Sequence, residues 1–101
     1  METVHLTIVG FAYCHGAEPF RIGTEFLCKK EPDNAYDNEA IEVTHPLLGK
    51  VGYIANSVTS RAGGTMSAGR IYDRVGESFT VRVRFTTHTK IIVEVTDFGK
   101  K

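Results

Sequence analysis

Apolar and polar residues alternate along this chain, and turn residues interrupt the alternation every few positions. No other feature of the sequence restricts its fold as much. The clearest stretch sets Phe79, Val81, Val83 and Phe85 on one face and Thr80, Arg82 and Arg84 on the other. Thr87-His88-Thr89 then makes a turn, and Ile91, Val93 and Val95 return. A period of two belongs to strands, and two such runs around a short polar link form a hairpin. Upstream, Val4, Leu6 and Ile8 face one way and His5 and Thr7 the other, until Gly10 permits a bend. Phe26-Leu27-Cys28 starts a second strand that Pro32 closes, and Ile41 and Val43 share a face of a third. His45-Pro46 breaks that strand, and Leu47-Leu48-Gly49 turns the chain into Lys50-Val51-Gly52-Tyr53-Ile54. Asn56 or Ser57 is placed to cap a short helix running to Arg61 and stopped by Gly63-Gly64, and Arg70 to Val75 reads as a further strand. The expected fold is mainly β: a small OB-like or SH3-like barrel of six or seven strands with one or two short helices. Closure also removes the exposed edges that such short strands would otherwise present.

The 101 residues make one domain, assigned to 1–97 with a solvated tail at 98–101, and suffice to bury a core without staples. Lys plus Arg equals Asp plus Glu at 12 each. A zero net charge argues against a broad nucleic-acid footprint, which normally demands a basic surplus, but it leaves room for a small site. The two cysteines, Cys14 and Cys28, sit in strand-like runs without metal-ligand spacing and read as buried reduced thiols. No leader-like segment or membrane-length apolar run occurs, so a cytoplasmic protein is expected, with no membrane partner.

Catalytic signatures are missing. No GxSxG, HExxH, GxGxxG or GxxxxGK[ST] run occurs, and Gly64-Thr65-Met66-Ser67-Ala68-Gly69 lacks the glycine two residues before its serine. His5, His15, His45 and His88 fall in separate segments, as surface or turn residues do. Asp33, Asp37 and Glu39 lack the spacing of a calcium loop. The expectation is no enzyme, no cofactor and no metal.

The chemistry that is present lies in Glu31-Pro32-Asp33-Asn34-Ala35-Tyr36-Asp37-Asn38-Glu39-Ala40-Ile41 and in Val51-Gly52-Tyr53-Ile54. Proline with Asp and Asn makes the first run a structured surface loop. Within it Tyr36 offers a π-face and Asp37 an accepting carboxylate, and Tyr53 returns on the following strand. A carboxylate accepts a hydrogen bond from a hydroxyl and repels a phosphate, and exposed aromatics on small barrels stack on bases. Other roles are open to the same residues. A tyrosine on a barrel is often half-buried with its hydroxyl bonded at the rim, and Asp37 is placed to cap the loop through N–H groups near Glu39.

These two segments resemble the HIRAN domain, a small module that precedes some DNA-repair helicases and also stands alone in bacteria; the resemblance runs from about Leu6 to Val95. It implies that the residues at Tyr13 and Tyr36 hold the terminal base of a single DNA strand. It also implies that the carboxylate at Asp37 accepts the free 3′-hydroxyl, in repair or replication-fork processing. Tyr53 and Asn56 belong to the same implied nucleic-acid site. The helicase members carry basic residues where this chain has Ala12 and Asn56, so weaker or altered phosphate contacts are expected. Arg61, Arg70, Arg82 and Arg84 are the candidate replacements, the last two projecting from one sheet face, and each is equally readable as an ordinary solvated residue. The alternative is a protein-interaction module that partners a separately encoded helicase or nuclease. The ATPase and zinc-bearing domains that accompany HIRAN in those helicases have no counterpart here.

Overall fold

The computed structural model describes residues 3–100, so Lys101 of the expected tail lies outside the described residues. Six antiparallel strands form a closed barrel: β1 (His5–Val9), β2 (Glu25–Glu31), β3 (Ala40–His45), β4 (Gly49–Ile54), β5 (Ser78–Thr86) and β6 (Ile91–Asp97). Their order around the barrel is β1-β4-β3-β2-β5-β6, and β6 pairs back onto β1. This architecture is compatible with a small OB-like barrel. Most strands form where the alternation put them. Leu6, Ile8, Phe26, Cys28, Ile41, Val43, Phe79, Val81, Val83, Ile91 and Val93 point inward and are at most 2% exposed. Phe11, Phe20 and Phe26 form an aromatic row, with centroid separations of 5.9 and 5.0 Å. Cys28 lies fully inside β2 and burial pushes its thiol far up, whereas Cys14 sits half-buried in a turn after the 3-10 segment Phe11–Tyr13 instead of in a strand.

Gly52 decides how β1 meets β4. These strands share the register pairs Ile8↔Ile54 and Val9↔Tyr53. A Cβ at position 52 would stand 2.8 Å from Ile8 Cγ2 and 3.1 Å from the Val9 carbonyl oxygen. Only a residue without a side chain admits that approach.

Four expectations are corrected. The segment from Asn56 to Arg61 is a turn, not a helix: Ser60 and Arg61 both donate to the Ser57 carbonyl, and the chain then runs along β1. Ala55 N donates to Thr7 O and Met66 N to His5 O, so this segment is held by strand carbonyls and has no reason to coil. The α-helix, α1, spans Ala68–Ile71 behind the cap Ser67 and continues as a 3-10 turn over Tyr72–Arg74, replacing the strand expected at Arg70 to Val75. Ala68, Ile71 and Val75 are all buried, a helical stripe of i, i+3 and i+7 spacing. Phe85 points outward at 62% exposure, because the ladder shifts between Val83 and Phe85 and a bulge turns the following residue over. Thr7, expected on the solvent side of β1, is 0% exposed beneath the 56–66 segment.

Thr7 is buried inside a closed ring of hydrogen bonds. Ala62 N donates to Thr7 Oγ1 (3.1 Å), and Thr65 Oγ1 donates to Ala62 O (2.6 Å). The 2.8 Å contact between the two hydroxyls then has one consistent direction, Thr7 donating to Thr65. Beyond β6, Phe98 packs on the core and its carbonyl accepts from Gly76 N. No helix among the described residues is long and apolar enough to cross a membrane.

Replacing Thr7 with valine keeps shape and volume but leaves Ala62 N–H and the Thr65 hydroxyl short of a partner. Denaturant unfolding should show a loss of about 1–3 kcal/mol, the cost of an unsatisfied buried group. Gly52→Ala should cost about 1–3 kcal/mol by overpacking the β1–β4 seam, read in the same titration as a lower midpoint with unchanged slope.

Candidate nucleic-acid interface

The loop between β2 and β3 is built from its own side chains. Asn34 Oδ1 accepts from both Tyr36 N (2.9 Å) and Asp37 N (3.1 Å), a local substitute for backbone pairing. Asn34 Nδ2 in turn donates to Glu31 Oε1 (3.0 Å) at the end of β2, tying the loop to the barrel. With its backbone fixed this way, Tyr36 projects outward at 98% exposure.

Asp37 is half-buried and held at both oxygens. Glu39 N donates to Oδ1 (2.9 Å), which is the loop-capping role, and Asn56 Nδ2 donates to Oδ2 (3.0 Å). Asn56 is itself oriented by Gly69 N, which donates to its Oδ1 at 2.7 Å. Helix α1 passes close by: a Cβ at position 69 would lie 2.7 Å from Oε1 at the far end of the exposed Glu39 side chain and 3.1 Å from Asn56 Oδ1. Each carboxylate oxygen takes one donor where it has room for two, so Asp37 is fixed in orientation and keeps accepting capacity.

Tyr53 on β4 is half-buried, and its hydroxyl is engaged twice. It donates to Glu31 Oε1 (3.1 Å) and accepts from Lys50 Nζ (3.0 Å), whose ammonium stands 4.9 Å from the ring centroid. A hydrogen bond between the Glu31 and Glu42 carboxyls holds Glu31 below the ordinary carboxylate range and Glu42 above it. Lys50 is raised, chiefly by its bond to Tyr53.

Tyr36, Asp37, Tyr53 and Asn56 line one concavity of about 420 Å³, together with Asn34, Ser57 and Ser60 and a floor of Val9, Ala40, Ile54 and Ala55. Among the described residues no Lys or Arg lines it. Of the other residues singled out in the sequence, Tyr13 is 95% exposed on the 3-10 turn after β1 but does not line the concavity. Arg61 donates through Nη1 to Thr65 O within its own loop. Arg70 is exposed on α1, outside the lining. Arg82 pairs with Glu25 at 2.8 Å and Arg84 with Glu94 at 2.7 Å, as neighbours across the sheet. Among the described residues no three His, Cys, Asp or Glu side chains gather as a metal site needs. Asn34, Ser57 and Ser60 escaped the sequence reading. An Asn two residues before Tyr36 was a readable sign of a side-chain-closed turn, whereas the serines join the site only through the course of the 56–66 segment.

No curated protein matches the chain. A protein from Lactobacillus plantarum with a solved crystal structure is similar at 21% identity and a TM-score of 0.59, covering 93% of this chain and 95% of that one. At that identity the likeness speaks for the fold alone. The family model described as the HIRAN domain matches residues 1–96, nearly the whole barrel and all of the concavity, so the chain belongs to the HIRAN domain family.

Proposed function

We propose that this chain is a binding module for single-stranded nucleic-acid ends, taking a DNA strand by its free 3′-hydroxyl in repair or replication-fork processing. The HIRAN family is generally associated with nucleic-acid binding and is typically a small non-catalytic domain. The observation that carries the reading is the juxtaposition in one concavity of an almost fully exposed ring, Tyr36, and an oriented carboxylate, Asp37, with accepting capacity left. An aromatic ring left in water contributes little to the fold, whereas base stacking on such a ring is worth about 1–3 kcal/mol.

In this reading the terminal base lies on Tyr36 and the sugar enters beside Asp37, whose free lone pair accepts the 3′-hydroxyl proton. Tyr13, four residues beyond the lining residue Val9, supplies the second ring from outside the concavity. A 3′-phosphate in the same place meets a carboxylate and no cation, so it is repelled. Asn56 stands where the helicase members have a basic residue, and here it orients Asp37 through a neutral amide.

Labelled single strands that differ only at the 3′ terminus test this directly. The free hydroxyl should bind more tightly than the phosphate, and Asp37→Asn should erase that preference while lowering affinity by about 1.5–3 kcal/mol, the range for a hydrogen bond to a charged group. Tyr36→Ala should weaken binding by about 1–3 kcal/mol through lost stacking. Its unfolding midpoint should stay put, because so exposed a side chain changes stability by only about 0.5 kcal/mol. Equal affinity for the two termini overturns the end-recognition reading.

A further inference from the structure

Among the described residues no Lys or Arg lines the concavity around Asp37, yet a strand entering it carries phosphates behind its last sugar. The surface shows where they go. The concavity shares Asn34 and Tyr53 with a second depression lined by Lys30, Glu31, Pro32 and Asp33. That depression in turn shares Lys30 and Pro32 with a third of about 550 Å³, lined also by Lys29, Tyr72, Glu77 and Ser78. The three form one groove that passes over the Pro32 turn, from the Tyr36 loop to the β2–β5 seam.

The far end of the groove has what the near end lacks. Lys29 is exposed on β2, in register with Ser78 of β5 on one side and with Glu42 of β3 on the other. Lys30 Nζ donates to the Val75 carbonyl at 2.9 Å and lies 4.5 Å from the centre of the Tyr72 ring. An ammonium has three donors, so Lys30 is held in place with donors to spare. Pro32 and Tyr72 also line this end, Tyr72 packed against the core with Lys30 over its ring. Of the acids flanking Pro32, Glu31 already accepts from Asn34 and Tyr53, and Asp33 lies in the turn itself. Lys50, which donates to the Tyr53 hydroxyl, lines none of the three depressions.

The geometry points to this end of the groove as a second subsite for the same strand, in which Lys29 and Lys30 hold the phosphates upstream of the terminal nucleotide and Pro32 offers a face to a base. It rests on the reading of the Tyr36–Asp37 concavity as the terminal site. The strand leaves Asp37, crosses Pro32 and runs on toward the two lysines. A neutral protein thus places its few useful cations one step back from the end that it reads.

The test uses the whole chain with single strands of roughly two and about six nucleotides, each with a 3′-hydroxyl or a 3′-phosphate, titrated over a range of salt. For the wild type, lengthening should raise affinity and steepen the log–log salt dependence by about 1.4, the value for two neutralised phosphates on a single strand. Lys29→Glu, at an exposed site, should remove the gain from length and at least about half of that added slope. Lys30→Met, which keeps the stem against Tyr72, should do the same in part. In both variants the hydroxyl-over-phosphate preference of the shortest strand should persist. The subsite is refuted if the wild type gains nothing from length, if both variants keep the full gain and slope, or if Lys29→Glu also abolishes the terminal preference. Loss of the terminal preference in the wild type, with the length effect intact, would overturn the terminal reading and leave the lysine subsite standing.

Discussion

Closure of the barrel through β1 is the constraint on which everything else rests. This five-residue strand pairs with β4 on one side and β6 on the other, and its β4 seam exists because Gly52 lets the two backbones come together. The same strand also organises what lies outside the barrel. Its carbonyls at His5 and Thr7 take the N–H groups of Met66 and Ala55, and its Thr7 hydroxyl anchors the turn at Ala62 and Thr65. Strand β1 is therefore a wall of the core and the rail along which the 56–66 segment is laid. That segment delivers Asn56, Ser57 and Ser60 to the concavity, so the site inherits its shape from the closure.

Polar side chains, not packing, hold the site itself together. Glu31, Asn34, Asp37, Asn56 and the backbone of α1 form a chain of hydrogen bonds from β2 through the loop to the helix. Each link is partly exposed and individually modest, on the order of 1 kcal/mol net. Their value lies in direction: they leave one carboxylate aimed and one ring unsupported by neighbours. A binding site made this way is rigid in its acceptor and free in its stacking surface, which suits a ligand whose terminus is chemically constant and whose base varies.

The sequence announced the barrel more plainly than the site. Alternation in β1, β2, β3, β5 and β6 marked the inward residues because a strand's side-chain period is fixed by its backbone. It failed at Phe85, where a bulge shifts the register, and at Thr7, where a distant loop covers the outer face; neither is encoded within a few neighbouring residues. The helix was misplaced because Asn56 to Arg61 carries good capping residues but no apolar stripe, while Ala68, Ile71 and Val75 carry the stripe behind a less conspicuous Ser67. In the site, Tyr36 and Asp37 were legible as neighbours in a turn-rich run. Their partnership with Asn56 is oriented by a hydrogen bond from Gly69 N on the helix, a contact across thirteen positions that no local pattern reveals. Arg61 shows the converse: a cation that looked available is spent on its own loop.

The two thiols carry a further consequence. Cys28 sits in the wall of the barrel with no exposed surface, and burial keeps it in the unreactive neutral form; Cys14 lies half open in a turn. An alkylating reagent would therefore meet Cys14 in the native molecule and Cys28 only when β2 parts from its neighbours. The pair amounts to a built-in stopwatch: the lag between first and second modification times how often this small barrel comes apart.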